Sequence, residues 1–437
     1  MNQPVQPTRF SGCGARPRVL ALSAAAHSVW FSQRVSGDAP IAVAQYVDIR
    51  GTFDVDLLMD SIRWAGREFG AGRLHVHEVD GYPYLTLAAA DDDFVEQVDF
   101  RGEANPAAAA QEWMRDEHSR PVDMSADQLV TAAVLRISDD HTYWYARAHQ
   151  VALDANGLRM LIERSAELYT HAFVGAAACP SEALDLEAVV ASDAAYRESA
   201  RFERDRDSWA GHLAGVAEAV TFAGRAAPAQ SEPVVVRGEL APAGEDAVIS
   251  APTIVAAFGA FLAQYTGRDE VTVTLPTPAR GTAGLRRSGG SLANAVPLRL
   301  SSGADMTVGD ASSAAGRELA GALSRQRYRR EDIAREAGVV GERAASFGPT
   351  IELMLADSAI PLGPLDGNLH VLCSGRVEDL TVRVHPGAID GATRIDFLAN
   401  PNLYSETETR QLHERFLVFV EGFVAADADS PLPGVRS

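Results

Sequence analysis

Little in this chain ties it to an oxidising compartment or a membrane. Its three cysteines, Cys13, Cys179 and Cys373, are scattered and odd in number, a poor basis for a disulfide framework. No run of about 18 apolar residues is present to span a bilayer. Met1-Asn2-Gln3-Pro4 opens a polar segment without the charged-then-apolar order of a secretory signal. A reducing cytoplasm is the setting these absences imply. Basic charge is short as well: 39 Lys and Arg stand against 59 Asp and Glu, a net charge of −20 spread along the chain. That balance argues against nucleic acid and anionic membranes as partners, because phosphate arrays call for a cationic face. Cys-x-x-Cys, His-Glu-x-x-His and Gly-x-Ser-x-Gly are all missing, so metal, zinc-hydrolase and serine-hydrolase chemistry have no motif behind them. His75 and His77, beside Glu78 and Asp80, fall on one face of an expected strand and read as a solvated face rather than a metal site. Gly289-Gly290-Ser291 lacks the lysine and the strand–helix frame of a phosphate loop and reads as a turn.

What is present is an ordinary folding composition, 46% hydrophobic and 22% charged over 437 residues. That length suggests two domains of roughly 200 residues each. Periodicity predicts strands at Ile41–Arg50, Leu74–Val79, Leu129–Ile137 and Tyr143–His149, and helices at Asp54–Phe69, Pro106–His118 and from Leu158 to about Phe173. A charged helical stretch, Ser192–Leu213, leads into a segment poor in large apolar groups, Gly224–Pro233, the best boundary. The pattern then restarts. Helices are expected near Pro252–Tyr265, Thr307–Arg327 and Glu406–Ala425, and strands at Val271–Leu275, Thr350–Met354, His370–Cys373, Leu380–His385 and Arg394–Leu398. The division read from this is a tail at 1–20, a first α/β half at 21–215, a linker at 216–233, a second α/β half at 234–427 and a tail at 428–437. Against the acidic background, Arg325-Gln326-Arg327-Tyr328-Arg329-Arg330 is a basic run. It reads first as a solvated helix end, and functionally as a docking point for an acidic partner.

Chemistry concentrates where the aromatic strand Tyr143-Trp144-Tyr145 stops and an amphipathic helix starts, at His149-Gln150-Val151-Ala152-Leu153-Asp154-Ala155-Asn156-Gly157. Taken alone, His149 is a core histidine at a strand end and Asp154 a helix-start residue. Gln150 carries donors and an acceptor but does not titrate near neutral pH, so it cannot act as a general base. It can still hold an amine or an oxyanion by hydrogen bonds.

The frame resembles the active-site motif of nonribosomal peptide synthetase condensation domains: two adjacent histidines, three variable residues, then Asp-Gly. Here the pair reads His149-Gln150 and the ending Asp154-Ala155. Other pieces fall in the same order: Leu22–Ala25 with Trp30-Phe31, Ala195–Trp209, Leu275–Arg280, Ala293–Arg299, Gly375–Leu380 and Asp396–Pro401. The likeness is strongest to domains of the siderophore and starter-unit type. It implies two chloramphenicol-acetyltransferase-like α/β halves in a V-shaped pseudo-dimer with a central tunnel. Carrier proteins would bring phosphopantetheine-bound substrates to it, with no cofactor bound by this chain. Under the resemblance His149 holds the first-histidine place, Gln150 the catalytic place and Asp154 the structural aspartate place, paired with Arg280 across the core; Gly157 and Asn294 are further structural positions of the tunnel region. Two functions follow. One is amide formation, with ester formation the lesser option, between a carrier-bound acyl thioester and an amine, at a weakened site. The other is a catalytically silent copy that recruits a tailoring enzyme or a carrier protein.

Overall fold

The computed structural model describes residues 18–435 apart from 38–39, 72–73, 88–93, 178–179, 217, 242–248, 304, 339–346, 355–358 and 386–391. Cys13, Cys179 and most of the tail at 1–20 lie outside the described residues, and Cys373 is a free thiol. None of the described helices is long and apolar enough to cross a membrane.

Among the described residues, two six-stranded sheets form the cores of two α/β halves, with a three-stranded sheet beside the first. In the first large sheet the order is Ala359–Leu362, Leu365–Cys373, Ala42–Arg50, His141–His149, Val130–Arg136 and Val95–Asp99. Strand His141–His149 is buried along its whole length because helices cover both faces. Trp144, Ala146 and Ala148 face a core with Leu58, Ile62, Leu158 and Ile162 of helices Val55–Phe69 and Ala155–Phe173. Tyr143 and Tyr145 face the other way, against Ala110 and Met114 of helix Pro106–His118. Period-two alternation therefore puts His149 and Arg147 on the side of Tyr145.

The second sheet runs Asn294–Ser301, Glu270–Thr277, Thr350–Leu353, Leu380–His385, Thr393–Ala399, Val234–Leu240. Its apolar face meets helix Ala251–Thr266, buried from Ile254 to Ala263, and Phe416, Phe419 and Phe423 of helix Glu406–Ala425.

Two segments pack against the half that chain order does not suggest. Trp209 and Leu213, before the linker, are buried in the second core. Conversely, Leu365–Cys373 pairs with Ala42–Arg50, placing Val371 opposite Gln45 and Leu369 opposite Val47 in the first sheet. Between these excursions the linker is strapped to the second half: the Asn400 amide donates to the Pro228 carbonyl, the Arg376 guanidinium to that of Ala229, and Gln230 bridges Val377. The charged stretch expected as one helix is two, Leu186–Arg197 and Ala200–His212, because the Ser199 hydroxyl caps the second at the Phe202 N–H and so ends the first.

Candidate functional site at the strand-to-helix corner

Strand His141–His149 ends because the ladder runs out: the His149 N–H donates to the Leu129 carbonyl and the Gln150 N–H to that of Ile41. A tight turn follows, and Asp154 caps helix Ala155–Phe173 by accepting the Gly157 N–H at 2.7 Å. The same carboxylate accepts from Leu292 and Ala293 N–H groups of the other half, at 2.8 and 2.7 Å. Arg280, also from the second half, completes it at 2.9 Å, with both side chains almost wholly buried. Arg280 in turn donates to the carbonyls of Pro278 and Gly290, so the turn at Gly289-Gly290 serves as an acceptor for the guanidinium. Gly157 is required by crowding: a Cβ there would lie 2.9 Å from the Gly290 carbonyl oxygen. Asn294 sits one layer out, its amide donating to the Gln326 and Tyr328 carbonyls while its oxygen accepts the Arg330 N–H.

That clamp corrects the reading of the basic run. Arg325 stacks on Trp209 at 4.8 Å and donates to the Ser208 hydroxyl. Arg327 lies over Tyr196 at 4.4 Å and donates to the Ser192 carbonyl, and Arg329 is buried on the Ala293 carbonyl. These guanidiniums are internal fasteners between helices and turns rather than a solvated patch.

His149 is buried and neutral. Its Nδ1 accepts the Val151 N–H at 3.2 Å, which leaves the proton on Nε2, facing the Gln33 amide oxygen at 3.2 Å. Burial, helped by the Arg147 charge, pushes its pKa from 6.5 down to about 4. With Nδ1 accepting the Val151 N–H and the ring buried, His149 has its lone pair engaged within the corner. A stability test follows. A base depressed on folding contributes stability that is full above pH 6.5 and lost as pH falls through about 4. His149→Gln, which keeps an acceptor and a donor without a titration, should flatten the loss of stability between those pH values by about 3 kcal/mol. Denaturant melts at stepped pH will read it; identical acid limbs in both proteins would contradict the assignment.

Gln150 is half-buried, and its Nε2 donates to the Ser374 carbonyl at 3.2 Å. Ser374 follows the crossing strand Leu365–Cys373, so this contact ties the corner to the segment that links the halves. The Ser374 hydroxyl lies 3.2 Å from Glu352 Oε1, Arg383 holds Glu352 Oε2 at 2.7 Å, and Arg383 also donates to the Ser374 hydroxyl at 2.6 Å. Glu352 and Arg383 face each other across adjacent strands of the second sheet. Beside them burial pushes the Cys373 thiol up. Sequence inspection passes over this trio because its members come from three separated segments, each unremarkable by itself. His75 and His77 lie in strand Leu74–Val79 as expected, and no group of His, Cys, Asp or Glu among the described residues has the geometry of a metal site.

Two α/β halves, with an Asp-capped corner from one pinned by an arginine of the other, match solved condensation domains, which have the two-subdomain, V-shaped, chloramphenicol-acetyltransferase-like fold. Within that class, a Condensation domain model matches residues 17–432, and the chain belongs to the condensation domain family. It is 32% identical over 429 residues to the isonitrile lipopeptide synthase of Streptomyces coeruleorubidus, covering 95% of this chain and 29% of the relative. To the dimodular nonribosomal peptide synthase of Bacillus subtilis it is 28% identical over 415 residues, 92% of this chain and 17% of the relative. The chain thus spans less than a third of either relative. Among solved structures, a variant starter condensation domain of rhizomide synthetase in complex with C8-CoA and Leu-SNAC superposes with a TM-score of 0.87 at 28% identity, over 95% of this chain and 96% of that one.

Proposed function

We propose that this chain forms an amide between an acyl thioester delivered by a carrier protein and an amine acceptor, within nonribosomal peptide synthesis, at a site whose proton-transfer step is weakened. The observation that carries this reading is the clamp of Asp154 by Arg280, Leu292 and Ala293 across the two halves. It holds the corner in a fixed place even though Gln150 stands where the family has its second histidine. Positioning alone supplies a large part of an acyl-transfer rate when nucleophile and thioester are held together. Amide formation suits such a site, because a free amine is already nucleophilic and a thioester already activated. The thioester arm would be the phosphopantetheine of the carrier, the chain itself holding no cofactor. Under this reading Gln150 contacts the reacting atoms, His149 and Asp154 shape the turn, and Arg280, Gly157 and Asn294 fix it to the second half.

Gln150 itself favours a second reading: a silent domain that recruits a carrier protein or a tailoring enzyme. The two separate in one assay. A panel of acyl-CoA and carrier-bound thioesters, C8-CoA among them, is offered with aminoacyl-SNAC acceptors and the amide product is measured. Product formation supports the enzyme. No product from folded protein that still binds a loaded carrier leaves the recruiting role.

A further inference from the structure

Resting on the reading of this corner as an amide-forming site, we propose that Glu352 is the base that takes up the acceptor's proton, through the Ser374 hydroxyl. Amine attack requires a base somewhere: the nitrogen that bonds to the thioester carbon carries an extra proton, which must leave before the amide can form. The two obvious candidates are closed. Gln150 has no titratable group. His149 has its one lone pair on the Val151 N–H and its ring buried. Glu117, on the same side of the first sheet, is saturated by Tyr145, Thr131 and Arg147. Glu352 is different. It comes from the opposite half and is incompletely buried. It is one hydroxyl away from the residue whose carbonyl holds the Gln150 amide.

The hydroxyl's own bonds point the proton the right way. Ser374 Oγ accepts from Arg383 at 2.6 Å, so its single proton is directed to Glu352 Oε1 at 3.2 Å. In the reaction the amine nitrogen bonds to the thioester carbon and the carbonyl electron pair moves to oxygen. The nitrogen's proton passes to Ser374 Oγ as the hydroxyl proton passes to Glu352. Collapse of the intermediate reforms the carbonyl and breaks the carbon–sulfur bond, and the departing thiolate takes the proton back from Glu352. Thioester and amine become amide and thiol with nothing left over. Arg383 has a second role here: its charge beside the carboxylate and the hydroxyl stabilises transient negative charge on the relay and favours return of the proton from Glu352 to the departing thiolate.

The test uses the same acyl-CoA and aminoacyl-SNAC panel with the full chain. Glu352→Gln should lower kcat roughly 10²-fold, leaving KM for the acyl donor unchanged, while Glu352→Asp, which keeps the carboxylate, should retain part of the rate. Adding Gln150→His to Glu352→Gln should restore turnover and raise it by a larger factor than the same substitution raises the wild type, because only the variant then lacks another base; a purely structural Glu352 would give the same fold-gain in both backgrounds. If Glu352→Gln does not fold, Glu352→Met with Arg383→Met replaces the ion pair by apolar chains of similar volume, a change folds often tolerate, and the same loss and rescue are expected there. Wild-type kcat in a folded variant lacking the carboxylate, or the same fold-gain from Gln150→His with and without Glu352, overturns the role of Glu352 and leaves the amide-forming reading standing. No product from the wild-type chain itself overturns both.

Discussion

Asp154→Ala should cost the protein roughly 3–5 kcal/mol, the range seen when one partner is removed from a buried ion pair. The structure gives the reason in four contacts: one carboxylate accepts from Gly157, Leu292, Ala293 and Arg280, and its loss leaves three N–H groups and a buried guanidinium without their acceptor. Asp154→Asn should do little better. The new amide has one oxygen: turned toward Arg280, Leu292 and Ala293 it sets its own N–H donors against the Gly157 N–H, and in either orientation the buried guanidinium loses its counter-charge. Arg280→Ala leaves the opposite charge stranded and should fall in the same range. Differential scanning or denaturant melts will show it, and a variant that melts with the wild type would mean that the clamp contributes nothing to stability.

The second large effect is expected at Gln150. Gln150→His should raise amide formation by up to roughly 10²-fold, the usual worth of a positioned base, while Gln150→Ala should lower it by removing the hydrogen bond to Ser374. Two features support the gain. The backbone at this position is fixed by the Ile41 carbonyl, and the half-buried side chain sits where the halves meet. An imidazole placed there keeps one ring nitrogen for a proton. Rates of product formation for the three proteins decide it; equal, measurable rates would remove position 150 from the chemistry, and no product from any of the three would favour the recruiting domain.

Much of the fold is legible in the amino-acid order wherever local chemistry decides it. Helix Pro106–His118 begins and ends as periodicity places it because Asn105 caps it and proline opens it. Helix Glu406–Ala425 likewise has its start set by a Ser405–Glu408 capping box. The Asp154–Arg280 contact is legible only through family likeness, since nothing local links residues 126 apart. Other features lie beyond reach for identifiable reasons. The apolar alternation near His370–Cys373 marks a strand but carries no information on which sheet receives it. Arginines crowded between Arg325 and Arg330 read as a surface patch because charge usually faces water. Their flat guanidiniums instead stack on Trp209 and Tyr196, a fate that depends on neighbours far away in sequence. Glu352, Ser374 and Arg383 meet only after the second sheet is assembled.

The borrowed strand also bears on how the chain is made. Strand Ala42–Arg50 leaves a ribosome early, but its partner Leu365–Cys373 follows more than three hundred residues later. At ordinary synthesis rates that is a delay of roughly 15–60 s. Throughout it, the first sheet exposes a row of unpaired N–H and C=O groups along a strand that is central in the finished molecule, an open template for other chains. The same strand pair supplied by a neighbouring copy would satisfy that edge equally well, so exchange of this arm between two molecules is the misassembly to which this architecture is most open.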